Sequence, residues 1–174
     1  MGPSVRQNER FLSLTGVIIE QEHCRTEAAE IIGDIQSMFT RPDGRPVILH
    51  RNEIVRRKPP FTRLADDKVR YDFNGRLIRA LNYIDYTVIT VIIDKLDHLE
   101  RYKVWHHAPY HYCLIAVLER YITFLGRRGA RGDVVVEARG KAEDKRLKGA
   151  FAFAWRSGTD FVPASKFQAR LTSR

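Results

Sequence analysis

Three acidic residues, Glu53, Asp94 and Glu137, each follow a short apolar run directly or within a few positions. Asp94 closes the most apolar of these runs, Tyr86-Thr87-Val88-Ile89-Thr90-Val91-Ile92-Ile93. If the runs are strands of one parallel sheet, their carboxyl ends lie together, where open α/β sheets gather functional groups. Clustered carboxylates repel one another, so such a set calls for a cation. Hard oxygen ligands suit Mg2+ or Mn2+. Two such ions would stabilise the attacking and leaving oxygens of an in-line phosphodiester hydrolysis. The simpler reading is an acid that ends a strand or caps the helix that follows, and position by itself does not choose between the two.

The histidines give a weaker pattern. His106, His107 and His111 crowd together, and His107 and His111 have the four-residue spacing that holds zinc on a helix. Pro109 lies between them, and no cysteine or acid pair completes a tetrahedral set. Hydrogen-bonded or surface histidines are the plainer account. His50 stands beside Glu53 and either touches substrate or serves the fold. The chain has no phosphate-binding glycine loop and no Gly-x-Ser-x-Gly elbow.

Charge points to a polyanion. The net charge is +9. From Arg120 onward there are 13 Lys and Arg against 5 Asp and Glu, a balance of +8, whereas the preceding residues hold 17 against 16, a balance of +1. Within this basic third, Arg139, Lys141, Lys145, Arg146 and Lys148 are the candidate phosphate contacts for RNA or DNA. The alternative is a solvated basic helix face.

The elements that would position these groups follow from periodicity. Residues 1–9 read as a flexible tail. Arg10 to Glu20 reads as a strand in which Gly16 marks a bulge or close packing. Cys24 to Phe39 places Cys24, Ala28, Ile31, Ile32, Ile35, Met38 and Phe39 on one helical face, and Arg41-Pro42-Asp43-Gly44 is a turn. Val47-Ile48-Leu49 is a short strand, and Arg56-Arg57-Lys58-Pro59-Pro60 a basic loop. A helix from about Asp66 to Tyr83 has Asp66 or Asp67 as its cap, with Val69, Phe73, Leu77, Leu81 and Ile84 inward. The Tyr86–Ile93 run reads as a central strand covered on both faces. Residues 95–107 read as a connection, and Pro109 opens a helix whose stripe is Tyr110, Cys113, Leu114, Val117, Leu118, Tyr121 and Leu125, ending at Gly126 and Gly129. Asp133 to Glu137 reads as a short buried strand and Glu143 to Arg156 as a basic helix with Leu147, Ala150, Phe151, Ala154 and Trp155 inward. Phe161-Val162-Pro163 begins a last extended piece. Alternating strands and helices predict one α/β domain over residues 1–174 with a mostly parallel sheet. Cys24 and Cys113 read as buried free thiols, which with the absence of an apolar leader or a 20-residue apolar run points to the cytoplasm and away from membranes.

Several stretches taken together resemble the bacterial family called domain of unknown function 3800, which is placed with RNase H-like folds. They are Phe11–Glu20 (FLSLTGVIIE), His50–Ile54 (HRNEI), Val91–Lys95 (VIIDK), Pro109–Leu125 (PYHYCLIAVLERYITFL), Val134–Gly140 (VVVEARG) with Glu143-Asp144, and Gly158–Leu171 (GTDFVPASKFQARL). The resemblance implies an RNase H-like three-layer fold, with a mixed, mostly parallel sheet flanked by helices. It also implies a metal-dependent nuclease in which Asp94 and Glu137, and less firmly Glu53, hold Mg2+ or Mn2+ whose bound water attacks the phosphate. The family pattern opens with a strand ending Asp-Glu-Ser-Gly, which Met1 to Arg10 lacks, and continues past the region of Leu171 into a Lys-rich segment and a helix with a further aspartate. The expectation is therefore a chain truncated at both ends. It is either a nuclease domain or a catalytically incomplete nucleic-acid-binding or interaction module, with an orphan fragment without activity as a third reading. Unpaired sheet edges left by a missing strand would favour pairing with another chain, a homo-oligomer included.

Overall fold

The computed structural model describes residues 10–102, 108–138 and 140–172. In chain order the elements are β1 (Phe11–Ile18), α1 (Gln21–Arg25), α2 (Glu27–Gln36), α3 (Arg51–Val55), a 3-10 turn (Phe61–Ala65), α4 (Asp67–Tyr83), β2 (Thr87–Asp94), α5 (Lys95–Tyr102), α6 (Pro109–Arg127), α7 (Lys141–Ser157) and α8 (Ala164–Arg170). Where the sequence suggests one domain, the described chain divides into two compact units. One is built from the residues up to Val17 and from Val88 onward, the other from Ile18–Thr87. The N-terminal tail, His106, His107 and Arg139 lie outside the described residues.

In the first unit β1 and β2 form a two-stranded antiparallel sheet. Its register is visible in two contacts. The Lys95 amide donates to the Arg10 carbonyl at 2.8 Å, and the Thr15 and Thr90 hydroxyls meet at 3.0 Å. Leu12, Leu14, Gly16 and Ile18 of β1 alternate with exposed Phe11, Ser13, Thr15 and Val17. Leu14 and Gly16 of this inner row meet α6. Leu14 joins its core, and a Cβ added at Gly16 would lie 3.3 Å from Val117, the close packing expected of that glycine. The core proper is the buried stripe Leu114, Leu118, Ile122 and Leu125 of α6, closed by Ala154 of α7, Val162, Phe167 of α8 and Leu171.

In the second unit α1 and α2 make the helical face expected over Cys24–Phe39, with a break at Thr26, whose backbone leaves the helical region. The Thr26 hydroxyl donates to the Glu22 carbonyl at 2.9 Å, the back-bonding by which threonine interrupts helices. Asp66 caps α4 as expected, accepting from the Lys68 and Val69 amides at 2.9 and 3.0 Å. Ala80 rather than Leu81 is buried on that helix. Phe39, Phe61 and Phe73 meet edge to face, with ring centroids 4.8 Å (Phe39–Phe61) and 5.7 Å (Phe39–Phe73) apart.

The expected α/β architecture is overturned. The structure is 59% helical, and the one sheet among the described residues is the antiparallel pair, so those residues do not form the RNase H-like three-layer fold with a mixed, mostly parallel sheet. Three runs that alternation marks as strands are not strands here. Val47-Ile48-Leu49 follows Pro46 and has no pairing neighbour among the described residues. Its Val47 is buried, and Gln36 Nε2 holds the Val47 carbonyl at 2.8 Å in place of a ladder. Residues 133–137 are irregular, and Val135 is 94% exposed. The chain there is tied at its start. Gly132 bridges in parallel to Leu171 and has no room for a side chain, because an added Cβ would strike the Tyr121 hydroxyl, which donates to the Asp133 carbonyl at 3.3 Å; Val134 packs on the core. Phe161-Val162-Pro163 does not begin an extended segment. Pro163 instead precedes α8, whose Phe167 needs a helical turn to reach the core. β2 is covered on one face only, so Val88 and Ile92 stand exposed. Residues 95–102, read as a connection, form α5. Cys113 is buried as expected, but Cys24 is exposed.

Phe61 is fully buried and Phe161 is 84% exposed. Phe61→Ala should cost about 3–5 kcal/mol in urea denaturation, while Phe161→Ala should stay within about 0.5 kcal/mol of the parent. Equal losses from the two would contradict the core assigned to the second unit.

Candidate nucleic-acid interface

Asp94 is the last residue of β2, and both of its oxygens are engaged. Oδ2 accepts from Arg10 Nε at 2.8 Å and also from Arg10 Nη2. Oδ1 accepts from the Leu96 amide at 3.0 Å and, less closely, from that of Asp97 at 3.3 Å, at the start of α5. The arginine is brought there by the antiparallel register, which sets the first residues of β1 against the end of β2. Hydrogen bonding from the Arg10 guanidinium, with help from the Asp97 and Leu96 amides and against the effect of partial burial, holds the Asp94 carboxyl below the usual carboxylate range. Asp94 therefore ends a strand and caps the following helix, the simpler of its two readings.

Glu137 lies in the irregular segment after Gly132 and is exposed. Glu53 sits within helix α3 of the other unit. Neither ends a strand, so no sheet edge carries the three acids. Among the described residues no three His, Cys, Asp or Glu side chains group to hold a metal ion. The carboxylate of Asp94, already saturated by an arginine and two amides, does not fit the Mg2+ or Mn2+ site that the sequence suggests. His50 precedes α3 and is exposed, while His111 is partly buried in the first turn of α6.

The basic residues present a different picture. α7 is amphipathic. Leu147, Ala150, Phe151, Ala154 and Trp155 face the core of the first unit, and Phe151 stacks on Trp155 with centroids 6.1 Å apart. With that side fixed, Lys141, Lys145, Arg146 and Lys148 are all exposed. None of the four is in an ion pair among the described residues. Five arginines earlier in the chain do meet acids: Arg10 pairs with Asp94, Arg41 with Asp43, Arg70 with Asp67, Arg76 with Asp34 and Asp72, and Arg101 with Asp97. Lys141 stands in the first turn, at the positive end of the helix dipole, where a cation is disfavoured. A charge set in that position adds to the attraction of an anion.

Two residues of this face escape a reading made from the inward stripe alone. Phe153 is 60% exposed, and Arg156 is exposed beside it in the helical projection, its Nε donating to the Ala152 carbonyl at 3.3 Å. The signal was present in the sequence, since a phenylalanine at position 153 falls outside the 147, 150, 151, 154, 155 series. No family model, curated protein or solved structure matches the chain.

The Arg10–Asp94 pair carries a pH signature. Asp94 has its pKa lowered on folding, so its stabilisation is complete above the unfolded aspartate value of about 3.9 and is lost as pH falls through the lower folded value. Asp94→Asn should melt below the parent at neutral pH, and the two melting curves should converge as the solution is acidified toward and below that window. A difference that persists unchanged in acid would show that the ionised pair is not its source.

Proposed function

We propose that this chain is a nucleic-acid-binding module that engages the phosphate backbone through the exposed face of α7 and does not depend on a carboxylate-held metal. The observation that carries this reading is the row Lys141, Lys145, Arg146 and Lys148, exposed and without acidic partners among the described residues, on a helix whose opposite side is fixed in a core. Unneutralised cations break no ion pair when they meet phosphates, and the counterions they release from the polyanion drive association. The concentration of charge in the C-terminal third adds a longer-range field of the same sign. The occupied carboxylate of Asp94 favours binding over hydrolysis.

Binding of a fluorescent oligonucleotide, followed by anisotropy across a KCl series in EDTA, tests the reading. Affinity should fall linearly on logarithmic axes. The combined charge reversal Lys145→Glu, Arg146→Glu and Lys148→Glu should flatten the slope by about 0.7–0.9 for each phosphate contact removed. No binding at low salt, or a triple variant that binds as the parent does, would overturn it. Affinity that collapses in EDTA and returns with Mn2+ would restore a metal-centred account.

A further inference from the structure

Phe153 is the one large apolar side chain on the outer face of α7. Its neighbours on the helix, Phe151 and Trp155, turn inward and stack on one another. Phe153 has no such cover. Among the described residues no ring packs against it and no cation lies over it, in contrast to Phe124, which the Arg128 guanidinium covers at 4.4 Å. Helical side chains lean back over the turn that precedes them, so the surface next to the Phe153 ring belongs to the turn of Gly149 and Ala150. Gly149 has no side chain, and nothing lies within 4 Å of where its Cβ would stand. The ring is thus left with open space on the side where a lysine or leucine at position 149 would close it. Arg146 stands two turns toward the N-terminus, about 10.5 Å along the axis by helical rise, and Arg156 one turn toward the C-terminus, both exposed.

We infer that Phe153 is a stacking platform for an unpaired nucleobase, with the basic side chains on either side taking the flanking phosphates, so that the ligand class of α7 is single-stranded nucleic acid. This rests on the phosphate-binding reading of the same helix and adds the strandedness of its ligand. A ring standing clear of a basic surface offers a π-face. In a duplex the base faces are already stacked, and such a ring meets only sugar and phosphate; in a single strand a splayed base takes it, whatever its sequence. A membrane surface is the weaker fit. The apolar side of α7 is spent on the protein's own core, and one phenylalanine leaves too little apolar area to enter a bilayer.

The test uses the full chain with a labelled 20-mer of deoxythymidine, a labelled 20-bp duplex, and vesicles of phosphatidylcholine with phosphatidylserine. Phe153→Ala should weaken binding of the single strand about 5- to 150-fold, the range for loss of one aromatic stack, and leave the duplex affinity within about two-fold. Phe153→Trp should retain single-strand binding. Gly149→Leu, which places a side chain beside the ring without removing it, should reproduce most of the Phe153→Ala loss. Circular dichroism melts confirm that each variant keeps its fold, and the position is exposed, so truncation there removes no core. Equal loss on single strand and duplex, or no loss on either, overturns the stacking role. Loss of vesicle binding with single-strand binding intact overturns it in favour of a membrane surface. If Phe153→Ala has no effect while the triple charge reversal abolishes binding, only the stacking inference fails. If the triple reversal binds like the parent, the phosphate-binding reading fails first.

Discussion

Helix α6 presents Leu114, Leu118, Ile122 and Leu125 to Ala154, Val162, Phe167 and Leu171, and the arrangement of the first unit follows from that contact. Each large apolar side chain removed from water in such a cluster contributes on the order of 1.5–3 kcal/mol. The stripe sets where α7 and α8 lie, and the side of α6 near Val117 gives the sheet its one covered face, with Gly16 supplying the clearance. Two glycines then let the chain turn where packing requires it. Gly132 passes under the Tyr121 hydroxyl. Gly158 ends α7 with φ +75° in a space where a Cβ would sit 2.6 Å from the Ala164 amide nitrogen. A larger residue at either position would push α7 or α8 off the stripe.

Once the apolar side of α7 is committed to α6, the remaining side has no choice of direction. Lys141, Lys145, Arg146 and Lys148 must face water, and with none of them in an ion pair among the described residues the charges repel one another at modest cost in stability. Surface pairs such as Arg76 with Asp34 and Asp72 relieve such repulsion in the second unit. Sequences usually intersperse the two signs on a solvated helix. Glu143 and Asp144 are the only acids of α7, and both stand in its first turn, where they favour the helix dipole rather than the outer face. A basic face kept free of compensating acids along the rest of the helix is what an anionic ligand would neutralise.

How much of this was legible beforehand depended on which interaction decided each element. Helices were readable where an apolar stripe of period 3.6 coincided with a stop or start residue: Asp66 before α4, Pro109 opening α6, Gly129 and Gly158 after α6 and α7. Strands were not, because a run such as Val134-Val135-Val136 has the composition of a strand whether or not a neighbour exists to pair with it. Composition also misled about β2. Eight consecutive β-branched or aromatic residues look the same whether one or two faces are covered, and only the alternation of burial, with Ile92 at 64% exposure, separates the cases. The basic face of α7 was legible as charge but not as a surface, and Phe153 lies outside the inward series, so no periodic signal marks it.

The two ends of the sheet show why a carboxylate's place in sequence is a poor guide to its chemistry. In a parallel sheet the residue beside the carboxyl end of a strand is another strand's carboxyl end, so acids meet acids and a cation is needed. In an antiparallel pair the neighbour is the amino end of the other strand. Here that neighbour is Arg10, preceding β1, so the same Asp94 meets a fixed guanidinium and the first amides of α5. What faces Asp94 is thus set by strand direction together with the arginine at position 10. Reversing that direction turns a ligand for a divalent ion into one half of an ion pair, which ties the start of β1 to the end of β2 and closes the sheet at the point where the chain enters α5.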